Sequence, residues 1–157
     1  MDSTSRLYLE RAQNELNLAK VLFTLSGDAD TKVKIFAIPE TETFLSAVIT
    51  HAYYSIFYGA KAYLAKKGIT TKPPEEHKKT YEELKKLVDE GVLDVELLMI
   101  YEEVVIRADL LIGIFKIERK KRGNFTYRTL PQANIEPANK SLENAKLFFK
   151  HIYNLCD

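Results

Sequence analysis

The sequence predicts an all-α fold, an antiparallel up-and-down bundle of four to five helices. Three observations carry this. Apolar residues return every three to five positions through most of the chain. Gly27, Pro39, Gly68, Pro73, Pro74, Gly91, Gly123 and Pro131 fall between those periodic stretches. The length of 157 residues, with 46% apolar and 29% charged, suits one globular domain spanning 1–157.

The first helix is expected from Ser3 to Leu25, with Leu7, Ala12, Leu16, Ala19 and Phe23 along one apolar stripe. Ser26, Gly27 and Asp28 end it. The stretch from Gly27 to Glu42 contains Pro39 and reads as a loop, with one extended turn at Val33–Ile38. Thr41 reads as the N-cap of a second helix, which places Phe44, Ala47, Val48, His51, Tyr54, Tyr58 and Ala62 on one side and ends near Lys67, before Gly68.

Pro73-Pro74 suits a helix start, because a proline lacks the N–H that would go unpaired there. The third helix, Glu75–Glu90, turns Tyr81, Leu84, Leu87 and Val88 inward and sets Glu82 four residues before Lys86; Gly91 stops it. A fourth helix runs from Asp94 to Lys121. Its middle, Val104 to Ile117, is apolar almost all round apart from Arg107 and Asp109, so it is central to the bundle or buried between subunits. Glu103 stands four residues before Arg107 as an ion-pair partner, and a polar cleft wall is the functional reading of Arg107 and Asp109. After Gly123 and Pro131, the last helix covers Gln132 to Asn154, with Ile135, Ala138, Leu142, Ala145, Phe148, Phe149 and Ile152 inward.

Several classes of chemistry are missing. The six glycines form neither GxGxxG nor a P-loop. One cysteine, Cys156, and three dispersed histidines, His51, His77 and His151, supply no convergent metal set, and no cofactor is implied. A lone cysteine fits a reducing compartment, and no long uncharged apolar run or signal-like start occurs. A cytoplasmic protein without a membrane span is the expectation.

The net charge is only +1, but its distribution is uneven. Residues 116–128 carry six basic side chains and one acidic, whereas 75–103 carry four basic and ten acidic. Within the basic stretch, Arg119, Lys120, Lys121, Arg122, Asn124 and Arg128 can hold phosphates, and Phe125 and Tyr127 can stack on unpaired bases. The same stretch also reads as a solvated helix C-terminus whose cations complement the helix dipole. His51 reads as a hydrogen-bonded core residue, His77 as a surface or cleft residue, and His151 as surface. Tyr53, Tyr54, Phe57, Tyr58 and Tyr63 read as core and dimer packing, with hydroxyls that could line a cleft as the functional reading.

The run Ala52-Tyr53-Tyr54-Ser55-Ile56-Phe57-Tyr58-Gly59-Ala60-Lys61-Ala62-Tyr63-Leu64 resembles the second-helix signature of the small prokaryotic HEPN family. Gly68-Ile69-Thr70-Thr71-Lys72 with His77, Arg122-Gly123-Asn124-Phe125, and the helix from Ser141 to Phe149 are similar to further family features, in the family's order. The resemblance implies a dimerising helical bundle, with the homodimer built on the second and fourth helices. It also implies RNA or nucleotide-phosphate binding, metal-independent ribonuclease activity, a toxin–antitoxin or defence setting and a nucleotidyltransferase as partner.

The family's Arg-x4–6-His motif is absent: none of Arg6, Arg11, Arg107, Arg119, Arg122 and Arg128 has a histidine five to seven positions later. From Arg122 those positions hold Tyr127, Arg128 and Thr129, and a tyrosine of ordinary pKa ~10 is a poor general base. The catalytic positions therefore stay open, with His77, Arg122 and Tyr127 as candidates. A non-catalytic helical module that docks another protein is the alternative from a different class.

Overall fold

The computed structural model describes residues 2–104 and 135–157. Among them are six helical segments and no strand. Asp2 opens the first helix, α1 (Ser3–Gly27), by accepting from the backbone N–H groups of Thr4 and Ser5 at 2.8 Å each. Two otherwise unpaired donors of the first turn are thereby satisfied. The buried stripe of α1 is Ser5, Leu9, Ala12, Leu16 and Ala19. Leu7, expected on that stripe, is 62% exposed, because the inward face runs through 5, 9 and 12 instead.

A short helix, α2 (Ala29–Lys34), follows where a loop with an extended turn was expected. Asp28 ends α1 and caps α2: its side chain accepts from the Thr31 N–H at 3.0 Å and the Thr31 hydroxyl at 2.6 Å. Those two hydrogen bonds hold the Asp28 carboxyl below its ordinary range. Lys32 is only 2% exposed, and its ammonium donates to the carbonyls of Ser26 (3.0 Å), Glu40 (2.6 Å) and Glu42 (2.7 Å). All three of its protons are thus placed. The segment between α2 and the next helix is folded around that one charge.

The next helix, α3, spans Leu45–Lys66. Thr41 is not its cap. It lies in a turn closed by the Glu42 N–H donating to the Pro39 carbonyl (3.0 Å), and Phe44 occupies the cap position without a side-chain bond. The Phe44 N–H instead donates to the Ser26 hydroxyl oxygen (2.8 Å). At its far end, Gly68 adopts φ 75°, so the Ile69 N–H reaches back to Leu64 and the Gly68 N–H to Ala65. This left-handed C-terminal turn is glycine's natural place.

Buried residues surround α3 on almost every side, from Leu45 to Leu64, so the expected single inner face is too narrow a description. Small residues let its neighbours come close. Across the antiparallel α1–α3 contact, the Ser5 hydroxyl donates to the Ala62 carbonyl (2.8 Å) and Ser55 to the Ala12 carbonyl (2.9 Å). The last helix, α6 (Ile135–Cys156), packs on α3 in parallel: Gly59 faces Phe148 and Ile152, and Lys66 donates to the terminal carbonyls of Leu155 (2.9 Å) and Cys156 (3.1 Å). Full burial of side chains such as Phe148, Ile152, Ile56 and Leu64 contributes roughly 1.5–3 kcal/mol each. Ile135, expected inward, is 49% exposed. Burial pushes the Cys156 thiol above its ordinary range.

Between them, α4 (Glu76–Asp89) and α5 (95–104) close the other side. Pro73-Pro74 precedes α4 rather than opening it: the bond between them is cis, and Glu75, at φ 55°, holds the cap position. Leu84 and Leu87 are buried as expected, and Tyr81 and Val88 pack against the core at its margin. Lys86 pairs with Glu83 at 2.5 Å, one residue nearer than the expected Glu82. Gly91, at φ 73°, ends α4 with the same turn as Gly68. Asp94 starts α5 by accepting from the Glu96 N–H (2.9 Å), and Leu97, Leu98, Ile100, Tyr101 and Val104 are buried. Glu103 bridges to α6 through Lys140 at 2.6 Å. Arg107 and Asp109 lie outside the described residues.

Two stability changes are expected. A Cβ at Gly59 would meet Phe148 at 3.4 Å and Ile152 at 3.9 Å, which is ordinary contact. Gly59→Ala should therefore raise the urea midpoint, worth about 0.5–1 kcal/mol, whereas Gly59→Leu should lower it by forcing α6 outward. Lys32→Met keeps the buried stem but strands three carbonyls, and should cost about 2–3 kcal/mol by the same measurement.

Candidate functional site

Four aromatic residues leave α3 at positions 53, 54, 57 and 58, a spacing that gathers them on one side of the helix. The side is completed by Tyr8 and Arg11 from α1 and by Glu76 and His77 from the first turn of α4. Tyr53 and Phe57 are buried; Tyr8, Tyr54, Tyr58 and His77 are half-buried, and Arg11 is exposed. The cluster thus forms a partly open surface, not a closed core.

His77 is anchored twice. Its ring packs 4.1 Å from Phe57 and 5.2 Å from Tyr53, centroid to centroid, and its Nδ1 is hydrogen-bonded to the Tyr53 hydroxyl. Its backbone carbonyl accepts from the Tyr101 hydroxyl on α5 at 3.0 Å. A histidine fixed in this way has a defined ring orientation, which acid–base chemistry and phosphate recognition both need.

The two cations of the face are held differently. The Lys61 side chain is 8% exposed; its ammonium lies 4.5 Å from the Tyr8 ring centroid and pairs with Glu76. Burial works against that charge, but the bonds to Glu76 and Tyr8 outweigh it and hold the ammonium above its ordinary range. The Arg11 guanidinium lies 4.3 Å over the Tyr58 ring, a cation–π contact. Glu15, one turn further along α1, is engaged elsewhere, 2.6 Å from Nδ1 of His51. Arg11 therefore has no carboxylate partner among the described residues.

The tyrosine rings form a shallow ladder. Tyr8 and Tyr58 are 6.3 Å apart and 14° from parallel; Tyr54 and Tyr58 are 6.1 Å apart and 23° from parallel. Burial raises the Tyr58 phenol above its ordinary range, Glu15 and Tyr54 add to this and Arg11 opposes it, so the ring is neutral around pH 7.

Of the residues singled out from sequence, Tyr53, Tyr54, Phe57, Tyr58 and His77 are placed in this cluster. Arg119, Lys120, Lys121, Arg122, Asn124, Phe125, Tyr127 and Arg128 lie outside the described residues. His51 is hydrogen-bonded as expected, though half-exposed rather than core, and His151 is exposed. Sequence reasoning missed Tyr8, Arg11, Lys61 and Glu76. A signal was available for part of this: positions 8, 11 and 15 share one face of the first helix. The Lys61–Glu76 pair had none, because the fold alone brings its ends together.

Among the described residues no group of three or more His, Cys, Asp or Glu could hold a metal ion, and no helix is long and apolar enough to cross a membrane. No known family model matches the chain, and no curated protein does either.

The Lys61–Glu76 pair generates a stability prediction. Glu76→Gln leaves a buried ammonium without its carboxylate and should cost about 3 kcal/mol in urea unfolding. Lys61→Met removes the charge itself and should cost clearly less.

Proposed function

We propose that this chain is an RNA- or nucleotide-phosphate-binding helical bundle of the HEPN type. The observation that carries the reading is Arg11: an exposed cation without a carboxylate partner among the described residues, held over a half-exposed tyrosine in a row of aromatic rings. Cations that hold phosphates and rings that accept unpaired bases are what single strands require. The basic stretch 116–128 supplies further phosphate contacts in this reading, and its sequence resemblance extends the proposal to a homodimer and to a nucleotidyltransferase partner in a toxin–antitoxin or defence module.

A second reading is favoured by the Tyr53–His77 hydrogen bond. It is metal-independent RNA cleavage, in which the imidazole takes the proton of a ribose 2′-hydroxyl as that oxygen attacks the adjacent phosphorus and a proton passes to the departing 5′-oxygen. Cleavage of mixed RNA in EDTA, lost in His77→Ala, supports it; cleavage that persists in His77→Ala removes His77 from the chemistry.

The binding reading predicts that labelled single-stranded RNA binds with an affinity that falls as salt rises. Arg11→Ala should weaken binding and reduce the slope of log K against log salt by about one contact. No binding by the wild-type chain at low salt would overturn the reading. The alternative is then a protein-docking module, for which Val33, Ile35 and Phe36, all at least half exposed at the end of α2, are the observation to pursue.

A further inference from the structure

We infer that Arg11, Tyr58 and Tyr8 form a stacking subsite for one unpaired nucleobase, with the flanking phosphate held by the edge of the same guanidinium. The inference rests on the RNA-binding reading and narrows it to a ligand class: single-stranded nucleotides, bound by their base faces as well as their charge.

Arginine offers two binding elements at once. Its plane stacks on flat rings, and its edge N–H groups fit a phosphate. Here the guanidinium carbon lies 4.3 Å from the centroid of the Tyr58 ring, which holds the group against that aromatic ring before any ligand arrives. Arg11 is exposed, so a ligand in solution can reach it. Tyr58 is held in turn by near-parallel neighbours, Tyr8 at 6.3 Å and Tyr54 at 6.1 Å.

The charged groups around the site are of both signs, and the two carboxylates each have a partner of their own. The acid nearest along α1 in the helical sense, Glu15, is committed to His51, and the other cation of the face, Lys61, is committed to Glu76. A phosphate approaching the face therefore meets, in Arg11, a cation with no ion-pair partner among the described residues. A base within a duplex has both faces covered by its stacked neighbours and cannot use the platform, whereas an unpaired base can.

The test uses the full chain and fluorescence anisotropy with a labelled short oligo(A), at one ionic strength. Its duplex with oligo(U) and inorganic polyphosphate serve as competitors. Oligo(A) should bind about tenfold tighter than the duplex, as stacking of a base on an aromatic platform implies. Arg11→Lys keeps the charge and loses the plane; at this exposed position it leaves the fold intact. It should weaken oligo(A) about tenfold while polyphosphate competes for the variant as well as before. Tyr58→Leu should act in the same direction. If Arg11→Lys binds oligo(A) like the wild type, the stacking subsite is wrong and the site reads charge alone, with the RNA-binding reading intact. If the wild type binds neither oligo(A) nor polyphosphate, both readings fall together.

Discussion

Helix α3 has buried side chains on nearly every side, so other helices must supply almost its whole environment. That demand shapes the rest of the chain. The neighbours approach through small residues, Ala12 and Ala19 on α1, Ala52, Ser55, Gly59 and Ala60 on α3, Ala138 and Ala145 on α6. Close approach brings backbone carbonyls into the dry interior, and the hydroxyls of Ser5 and Ser55 donate to two of them across the α1–α3 seam. A seam of this kind carries register as well as apolar contact, since each hydroxyl meets its carbonyl in one alignment of the two helices.

Burial of charge follows two different solutions in the same molecule. Lys61 keeps its ammonium by facing a carboxylate and an aromatic ring. Lys32 faces only carbonyl oxygens, and its three bonds match its three protons. Among the described residues, no buried side-chain nitrogen or oxygen lacks a partner. The polar groups of the candidate site are therefore ordered by the fold and do not depend on a ligand for their placement. Arg11 differs from Lys32 and Lys61 in lying over a ring with no oxygen partner among the described residues, which leaves its hydrogen-bonding capacity for something else.

The long helices were legible because their signals are local. Apolar spacing gave α1, α3, α4 and the last helix to within a few residues, and Gly68 and Gly91 marked ends because left-handed turns need them. Helix α2 was not legible as an element: six residues are too few to show a period, and Asp28 follows Ser26 and Gly27 in a stretch that signals a helix end. Thr41 and Pro73-Pro74 carried genuine start signals but sit ahead of the helices, in turns. The site was legible only in part. The aromatic run and His77 stood out, whereas Arg11 owes its role to a contact between positions 47 residues apart in sequence, 11 and 58, which no periodicity encodes.

Asp28 ends one helix and begins the next with no residue between them. The junction has no slack. Each residue inserted or removed between Asp28 and Lys32 would swing the lysine about 100° around the helix axis and carry its ammonium away from the carbonyls of Ser26, Glu40 and Glu42. The segment from 28 to 44 has the sequence character of a tolerant loop, yet its length is as constrained as that of a core helix.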